Sequence, residues 1–250
     1  MGEMMPIVPD LAPLLLACLV AFLASVLGGL SGFGTGLVLP AFLAPLVGVS
    51  AVVPVMAVAM LFNNGGRVFA FWRDIAWVHL RRMLWLGLPA CVAGAYGYTL
   101  LSSDAIAFAL GAFLLASIPL RRVLRAANLR LSPALQVVAG GCFGFVNGGM
   151  SGAGILLISF LMAADLAGSA LIATDALISF VMGGAKVLLF GSLSALAAHQ
   201  ALIGLVVGAC TAPGAFVARW LLRRLPAGLH AWIMEAVVLV GALSLLIQAF

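Results

Sequence analysis

Apolar residues run along this chain almost without interruption, in stretches near 20 residues divided by short polar or basic breaks. Runs of that length match helices crossing a hydrocarbon layer of about 30 Å, and they lack the period-two alternation of a membrane β-barrel. Ten segments can be drawn, five in each half: 11–30, 35–47, 51–71, 83–101 and 105–120, then 133–148, 153–164, 169–190, 200–221 and 229–249. Segments 35–47 and 153–164 are too short to span comfortably, so each reads as a broken helix or as one arm of a hairpin with the segment before it. The pattern predicts an all-α polytopic membrane protein with a single transmembrane domain, residues 1–250.

Each short segment follows the same motif. Gly28-Gly29-Leu30-Ser31-Gly32-Phe33-Gly34 returns 120 residues later as Gly148-Gly149-Met150-Ser151-Gly152-Ala153-Gly154, identical at five of seven positions. Glycine costs about 1 kcal/mol against alanine inside a helix, so both runs mark breaks. Within a membrane, irregular backbone is tolerated only where protein buries it or where it lines a cavity. Matching breaks in two halves point to a transporter binding site. The offset continues through Leu37 with Leu157 and Gly48 with Gly168. One residue of slippage then aligns Gly65-Gly66-Arg67-Val68 with Gly184-Ala185-Lys186-Val187. The repeats are read as about 10–121 and 132–250.

Charge turns this repeat into a topology. The chain is 65% hydrophobic and 8% charged, where soluble domains carry roughly 25%, which excludes a large soluble domain. Ten of the twelve cations cluster after the third, fifth and ninth segments: Arg73, Arg81 and Arg82; Arg121, Arg122, Arg125 and Arg130; Arg219, Arg223 and Arg224. Placing these basic loops in the cytoplasm puts both termini outside, with Glu3 and Asp10. Five segments is an odd number, so the second half enters the membrane in the opposite sense. The expected plan is therefore two inverted-topology repeats of about five hydrophobic segments each, with short broken or hairpin helices at the repeat starts.

The same clustering accounts for the net charge of +5, so the bilayer is an expected partner and nucleic acid is not. Cys18, Cys91, Cys142 and Cys210 lie in apolar runs without metal-ligand spacing and read as packing residues; no metal or cofactor is expected. The start Met1-Gly2-Glu3-Met4-Met5-Pro6 lacks the basic region of a signal peptide, and Pro6 breaks the myristoylation pattern, so the first apolar run is expected in the mature protein.

With the glycine-rich run leading to Leu37-Val38-Leu39-Pro40, then Gly48-Val49-Ser50, the basic loop, Gly94 and the second copy after Gly152, the chain resembles the TauE/SafE family of membrane permeases. The resemblance covers essentially the whole sequence. It implies transport of sulfite, sulfoacetate and related sulfonates in a bacterial-type inner membrane. The chain departs from the family pattern in Ser151-Gly152-Ala153-Gly154, where a glycine triplet is usual, in Phe160 at a following proline position, and in the polar Asn63-Asn64-Gly65-Gly66.

The two cations outside the basic loops are the repeat mates Arg67 and Lys186. Ionisable groups within a membrane cost several kcal/mol and are functional candidates; the bland alternative is that these long side chains snorkel to the interface. Asn63 and Asn64 share a helix face with Arg67, as Asp175 and Ser179 do with Lys186. A bidentate guanidinium and a point-charge ammonium suit a small oxyanion, and the helix N-termini after Gly34 and Gly154 would add N–H donors. The expected substrate site comprises Arg67, Lys186, Asn63, Asn64, Asn147 and Ser179, with Ser31, Gly32 and Gly34 from the first break and Ser151, Gly152 and Gly154 from the second.

Asp175 carries two readings. It is a proton-coupling candidate, or a structural partner of Lys186 should the helix break at Gly183-Gly184, because eleven residues span about 16 Å of helix. Glu235 reads as an interface anchor, Asp165 as a solvated turn residue, and His79, His199 and His230 as boundary residues. Trp72, Trp77 and Trp85 fit an interfacial belt.

These features predict a secondary transporter of a small anion, a sulfonate, sulfite or related sulfur oxyanion, working by alternating access, with no catalytic residue. The chain has no G-x-x-x-x-G-K-[ST] sequence, so a gradient is the expected energy source. Two alternatives stay open. One is a passive anion channel. The other is an intramembrane serine protease using Ser151 within Gly149-Met150-Ser151-Gly152 and His199 as base, though the duplicate Gly29-Leu30-Ser31-Gly32 has no equivalent histidine. The glycine-rich helices can pack within one protomer or between two, which leaves a homodimer open.

Overall fold

The computed structural model describes residues 11–31, 34–126 and 130–221, together with Leu239, Leu243 and Ile247 of the last segment. Among these residues the chain forms nine α-helices and no strand: α1 Leu11–Ser31, α2 Gly34–Val47, α3 Val49–Phe71, α4 Trp77–Thr99, α5 Ser103–Ala126, α6 Pro133–Gly149, α7 Gly154–Ala163, α8 Gly168–Ser192 and α9 Ala198–Leu221. A 3-10 turn, Trp72–Asp74, joins α3 to α4. The tenth segment, with His230 and Glu235, lies outside the described residues apart from those three helical positions.

Nine of the ten segments thus appear as helices, with two corrections at the basic loops. α4 begins at Trp77 rather than residue 83, so Arg81 and Arg82 stand on a helix. α5 runs on to Ala126 and takes Arg121, Arg122 and Arg125 with it. Arginine is a good helix former. Leaving the hydrocarbon layer therefore does not require either helix to end.

Local chemistry fixes the other ends. Ser132 caps α6, its Oγ accepting from the Leu135 N–H at 3.4 Å, and Pro133 fills a first-turn position whose N–H needs no partner. Ala76 offers α4 no capping side chain; its N–H donates to Thr174 Oγ1 on α8 at 3.0 Å, so a tertiary bond replaces the cap. Gly48 precedes α3 at φ 80° and Gly168 opens α8 at φ 59°. Both turns need left-handed backbone, which glycine adopts without penalty. The short helices α2 and α7 have 14 and 10 residues, or about 21 and 15 Å at 1.5 Å per residue.

The most intimate helix pair is α4 with α6. A Cβ placed on Gly94, Gly140, Gly144 or Gly148 would run into the main chain of the opposite helix, so the two backbones touch, as small residues permit in membranes. α1 packs on α9, with Gly214 against Phe22 and Ser25, and Ser25 Oγ donating to the Thr211 carbonyl at 2.6 Å. α3 packs on α8 and α9, and α8 also on α4.

Two apolar clusters result. One is centred on α1, α2, α3, α5 and α9, with Leu39, Leu43 and Leu110 fully buried. The other belongs mainly to α4, α6, α7 and α8, around Met83, Phe143, Leu157 and Ile178. The outer surface is apolar as well: Phe69 is 90% exposed, Trp85 81% and Leu188 76%, a distribution suited to lipid rather than water. Three helical stretches, Val49–Asp74, Ser103–Leu120 and Gly168–Ser192, are long and apolar enough to cross a membrane.

Candidate functional site

Polar residues on α3 and α8 recur at spacings of three and four, which gathers them on one face of each helix. The two helices pack together, and a cavity lies between those faces with about 680 Å³ of empty space, counting the part open to solvent. α3 contributes Met56, Met60, Asn63, Asn64 and Arg67, and α8 contributes Asp175, Ser179, Gly183 and Lys186. Thr35 and Gly36 at the start of α2, Asn147 near the end of α6, and the 150–154 break complete the wall.

The second glycine run builds its part of this wall by breaking the helix. α6 stops at Gly149, Met150 is extended, Gly152 turns at φ 86°, and α7 starts at Gly154. A Cβ on Gly152 would meet the Leu37 side chain and the Gly36 carbonyl, so the break crosses the first turn of α2 at backbone contact. The Ser151 hydroxyl donates to the Gly36 carbonyl at 3.0 Å, and Thr35 Oγ1 to the Ala24 carbonyl of α1 at 3.2 Å. Buried hydroxyls thus tie the two broken regions to their neighbours.

Charge is distributed unevenly over the cavity. Arg67 Nη2 donates to Asp175 Oδ2 at 2.8 Å, the one ion pair among the described residues, and Arg67 Nη1 donates to Asn64 Oδ1 at 3.3 Å. Among the described residues two of the five guanidinium N–H groups are used, leaving three. Lys186 is buried, and its Nζ donates to the Asn147 main-chain carbonyl at 2.7 Å; among the described residues no carboxylate lies within ion-pair reach. Two cations against one carboxylate leave the ionised cavity at +1. Among the described residues the side chains of Asn63 and Ser179, both on the wall, hydrogen-bond to no protein group.

Of the residues expected at the site, Arg67, Lys186, Asn63, Asn64, Asn147, Ser179, Asp175, Ser151, Gly152 and Gly154 line this single cavity. Gly34 opens α2, one residue before Thr35 of the wall. Ser31 ends α1 and Gly32 follows, and both the Ser31 side chain and Gly32 lie outside the described residues.

Two expectations are corrected. α8 is continuous through Gly183-Gly184, so Asp175 stays far from Lys186 along the helix and is bonded to Arg67 instead. The Ser151 hydroxyl bonds Gly36, while His199 is exposed at the start of α9, so the Ser–His pair of the protease alternative is not assembled. The Asn147 side chain turns to sulfur, its amide 3.9 Å from both Cys91 Sγ and Met182 Sδ, and only its carbonyl holds Lys186. Asp165 is exposed with φ 63°, as a turn residue.

Sequence reasoning missed Thr35, Gly36, Met56, Ala57, Met60, Met150, Ala153 and Gly183 on the wall. Met56 and Met60 could have been found, since they continue the stripe of Asn63, Asn64 and Arg67 toward the start of α3. No polar atom flags them.

Residues 17–245 match the sequence model of the sulfite exporter TauE/SafE family. No curated protein and no solved structure matches the chain significantly. The family match spans nearly the whole sequence and meets a helical bundle with apolar, membrane-length helices. This multi-pass membrane protein belongs to the TauE/SafE sulfite exporter family, a family of membrane transporters.

Proposed function

We propose that the protein is a secondary transporter of a small anion, a sulfonate, sulfite or related sulfur oxyanion, working by alternating access between two inverted repeats of one transmembrane domain. The observation that carries this reading is the excess positive charge of the cavity, with Lys186 buried and, among the described residues, bonded to a carbonyl dipole and to no carboxylate. A buried cation without a counter-charge is costly, and an entering anion supplies one. The unused N–H groups of Arg67, the Asn63 amide and the Ser179 hydroxyl add donors of the kind that oxyanions accept.

The inverted repeat is supported by correspondences between the halves. At an offset of 119, Met56, Met60, Asn64 and Arg67 match Asp175, Ser179, Gly183 and Lys186, and all eight line the cavity. The packing of α4 on α6 answers that of α9 on α1, and α3 on α9 answers α8 on α4. At an offset of 120, Gly94 against Phe145 corresponds to Gly214 against Ser25. Gly48 and Gly168, the paired helix starts, share left-handed backbone. Two such halves can exchange conformations and so face either side of the membrane in turn.

In this reading the basic helix ends lie in the cytoplasm and both termini outside the inner membrane. Asp175 serves as the proton-coupling carboxylate. The test is counterflow in proteoliposomes, loading unlabelled sulfite, sulfoacetate, taurine, sulfate or acetate against a labelled sulfonate. Sulfur oxyanions should accelerate exchange, and Arg67→Gln or Lys186→Gln should lower it about a hundredfold. No acceleration by any of these anions would remove the substrate assignment, and loss-free exchange in both variants would remove the site.

A further inference from the structure

The cavity's two cations are not equally available. Arg67 and Lys186 stand near opposite ends of the wall, since Asp175, at the level of Arg67, is about 16 Å along α8 from Lys186. Lys186 is held by a neutral carbonyl, which any anion outcompetes electrostatically. Arg67 already holds an anion, the Asp175 carboxylate at 2.8 Å. A carboxylate and a sulfur oxyanion present the same chemistry to a guanidinium: a pair of adjacent oxygens, each accepting an N–H donor.

We infer that Asp175 is an internal competitor of the substrate for Arg67, so that the protonation of this one carboxylate decides whether the cavity takes a monoanion at Lys186 or a dianion reaching both cations. This rests on the transporter reading above and names the charge class of its substrate. With Asp175 ionised the wall carries +1, and a monoanion balances it. With Asp175 protonated, the guanidinium is released, the wall carries +2, and a dianion balances it. A dianion therefore enters with one proton, and a monoanion with none.

The charged and titratable groups around Asp175 are few. α3 brings Arg67, and α8 itself carries Lys186. On α4, Cys91 lies against Met182, while His79 and Arg82 are engaged with Gln136 of α6. Arg73 and Asp74 of the 3-10 turn are exposed, as is Cys142 of α6, and α7 has no ionisable side chain. Among the described residues Asp175 is thus the one acid on the cavity wall.

The experiment uses two probes whose charge is fixed across the working range, methanesulfonate as monoanion and sulfate as dianion. Binding to the purified full-length protein is measured by calorimetry as a function of pH. In the native protein, sulfate affinity should rise as pH falls, by up to about tenfold per unit for one linked proton, while methanesulfonate affinity rises less. In Asp175→Asn, sulfate should bind about tenfold more tightly at neutral pH or better, the scale of a close charge pair, and its pH dependence should vanish. Equal pH slopes for the two ions in the native protein would overturn the inference even if no variant folds. So would an Asp175→Asn protein that folds yet keeps the native preference between them. Absence of binding by either ion, or binding indifferent to Arg67→Gln and Lys186→Gln, would strike the transporter site instead.

Discussion

Arg67 and Lys186 occupy the same place in the two halves of the chain, and the structure gives them opposite circumstances. Arg67, its side chain 17% exposed, is neutralised by Asp175 and braced by Asn64. Lys186, more deeply buried, donates to the Asn147 carbonyl and has no carboxylate partner among the described residues. The reason lies one step away in the repeat. Asp175 of the second half supplies the counter-charge for Arg67, but the matching position of the first half, by the same offset of 119, is Met56. α3 and α8 place both cations on one wall. The difference at a single pair of positions, Met56 and Asp175, leaves one of them already paired and the other open to an anion.

The largest expected effect separates the two on stability. Arg67→Gln leaves the Asp175 carboxylate buried without its partner and should cost about 3 kcal/mol, read as a lowered midpoint of thermal unfolding in detergent. Adding Asp175→Asn should recover most of that loss. Lys186→Gln removes an uncompensated charge, so it should leave the midpoint nearly unchanged. Its effect falls on transport, where anion exchange should drop about a hundredfold, the scale of losing a buried charge pair. Equal destabilisation by the two Gln variants would end the distinction.

A second prediction makes the halves alike. Met56→Asp gives α3 the carboxylate that α8 already has, on the buried wall that Met56 shares with Lys186. The new acid should compete with substrate, and anion affinity should fall about tenfold, measured by the same counterflow. Met56→Leu serves as the steric control and should leave affinity within about twofold, as volume-conserving exchanges do. A Met56→Asp protein with native affinity would mean that Lys186 answers to groups other than those on this wall.

How far this contrast was legible in the sequence follows from what each feature depends on. The helices, the two breaks and the gathering of Asn63, Asn64 and Arg67 on one face are local, set by hydrophobic runs, glycine density and the 3.6-residue period. The pairing of Arg67 with Asp175 spans 108 residues and depends on how α3 seats against α8, which no local pattern encodes. Glycines hid a second feature. Gly183-Gly184 reads as a weak point in α8, yet the helix is continuous, because a Cβ-less surface at Gly183 meets Leu61 of α3 and is used for packing. Ser151 misled in the opposite way: its motif looks reactive, and its hydroxyl bonds a neighbouring backbone. The basic loops moved onto helices because charge ends a hydrophobic run without ending helical hydrogen bonding.

The smallest effects test whether the halves still share a backbone where their chemistry has parted. Gly48 and Gly168 both hold left-handed φ, and at neither would an added Cβ meet any atom within 4 Å. Substitution by alanine therefore measures conformation alone, without a steric clash. Each should cost about 1 kcal/mol, the penalty of placing an L-residue in that region. Gly184 is the control on the same helix as Gly168: it too has open space but lies within regular helix, so Gly184→Ala should stabilise by up to about 1 kcal/mol. Thermal unfolding of the three variants decides the matter. Similar losses at Gly48 and Gly168, with a gain at Gly184, would mean that the two helix starts have kept one conformational requirement while Met56 and Asp175 drifted apart. A loss at only one of the two would place the asymmetry in the backbone, and the unequal cations would then follow from unequal helix seating rather than from the Met56–Asp175 difference.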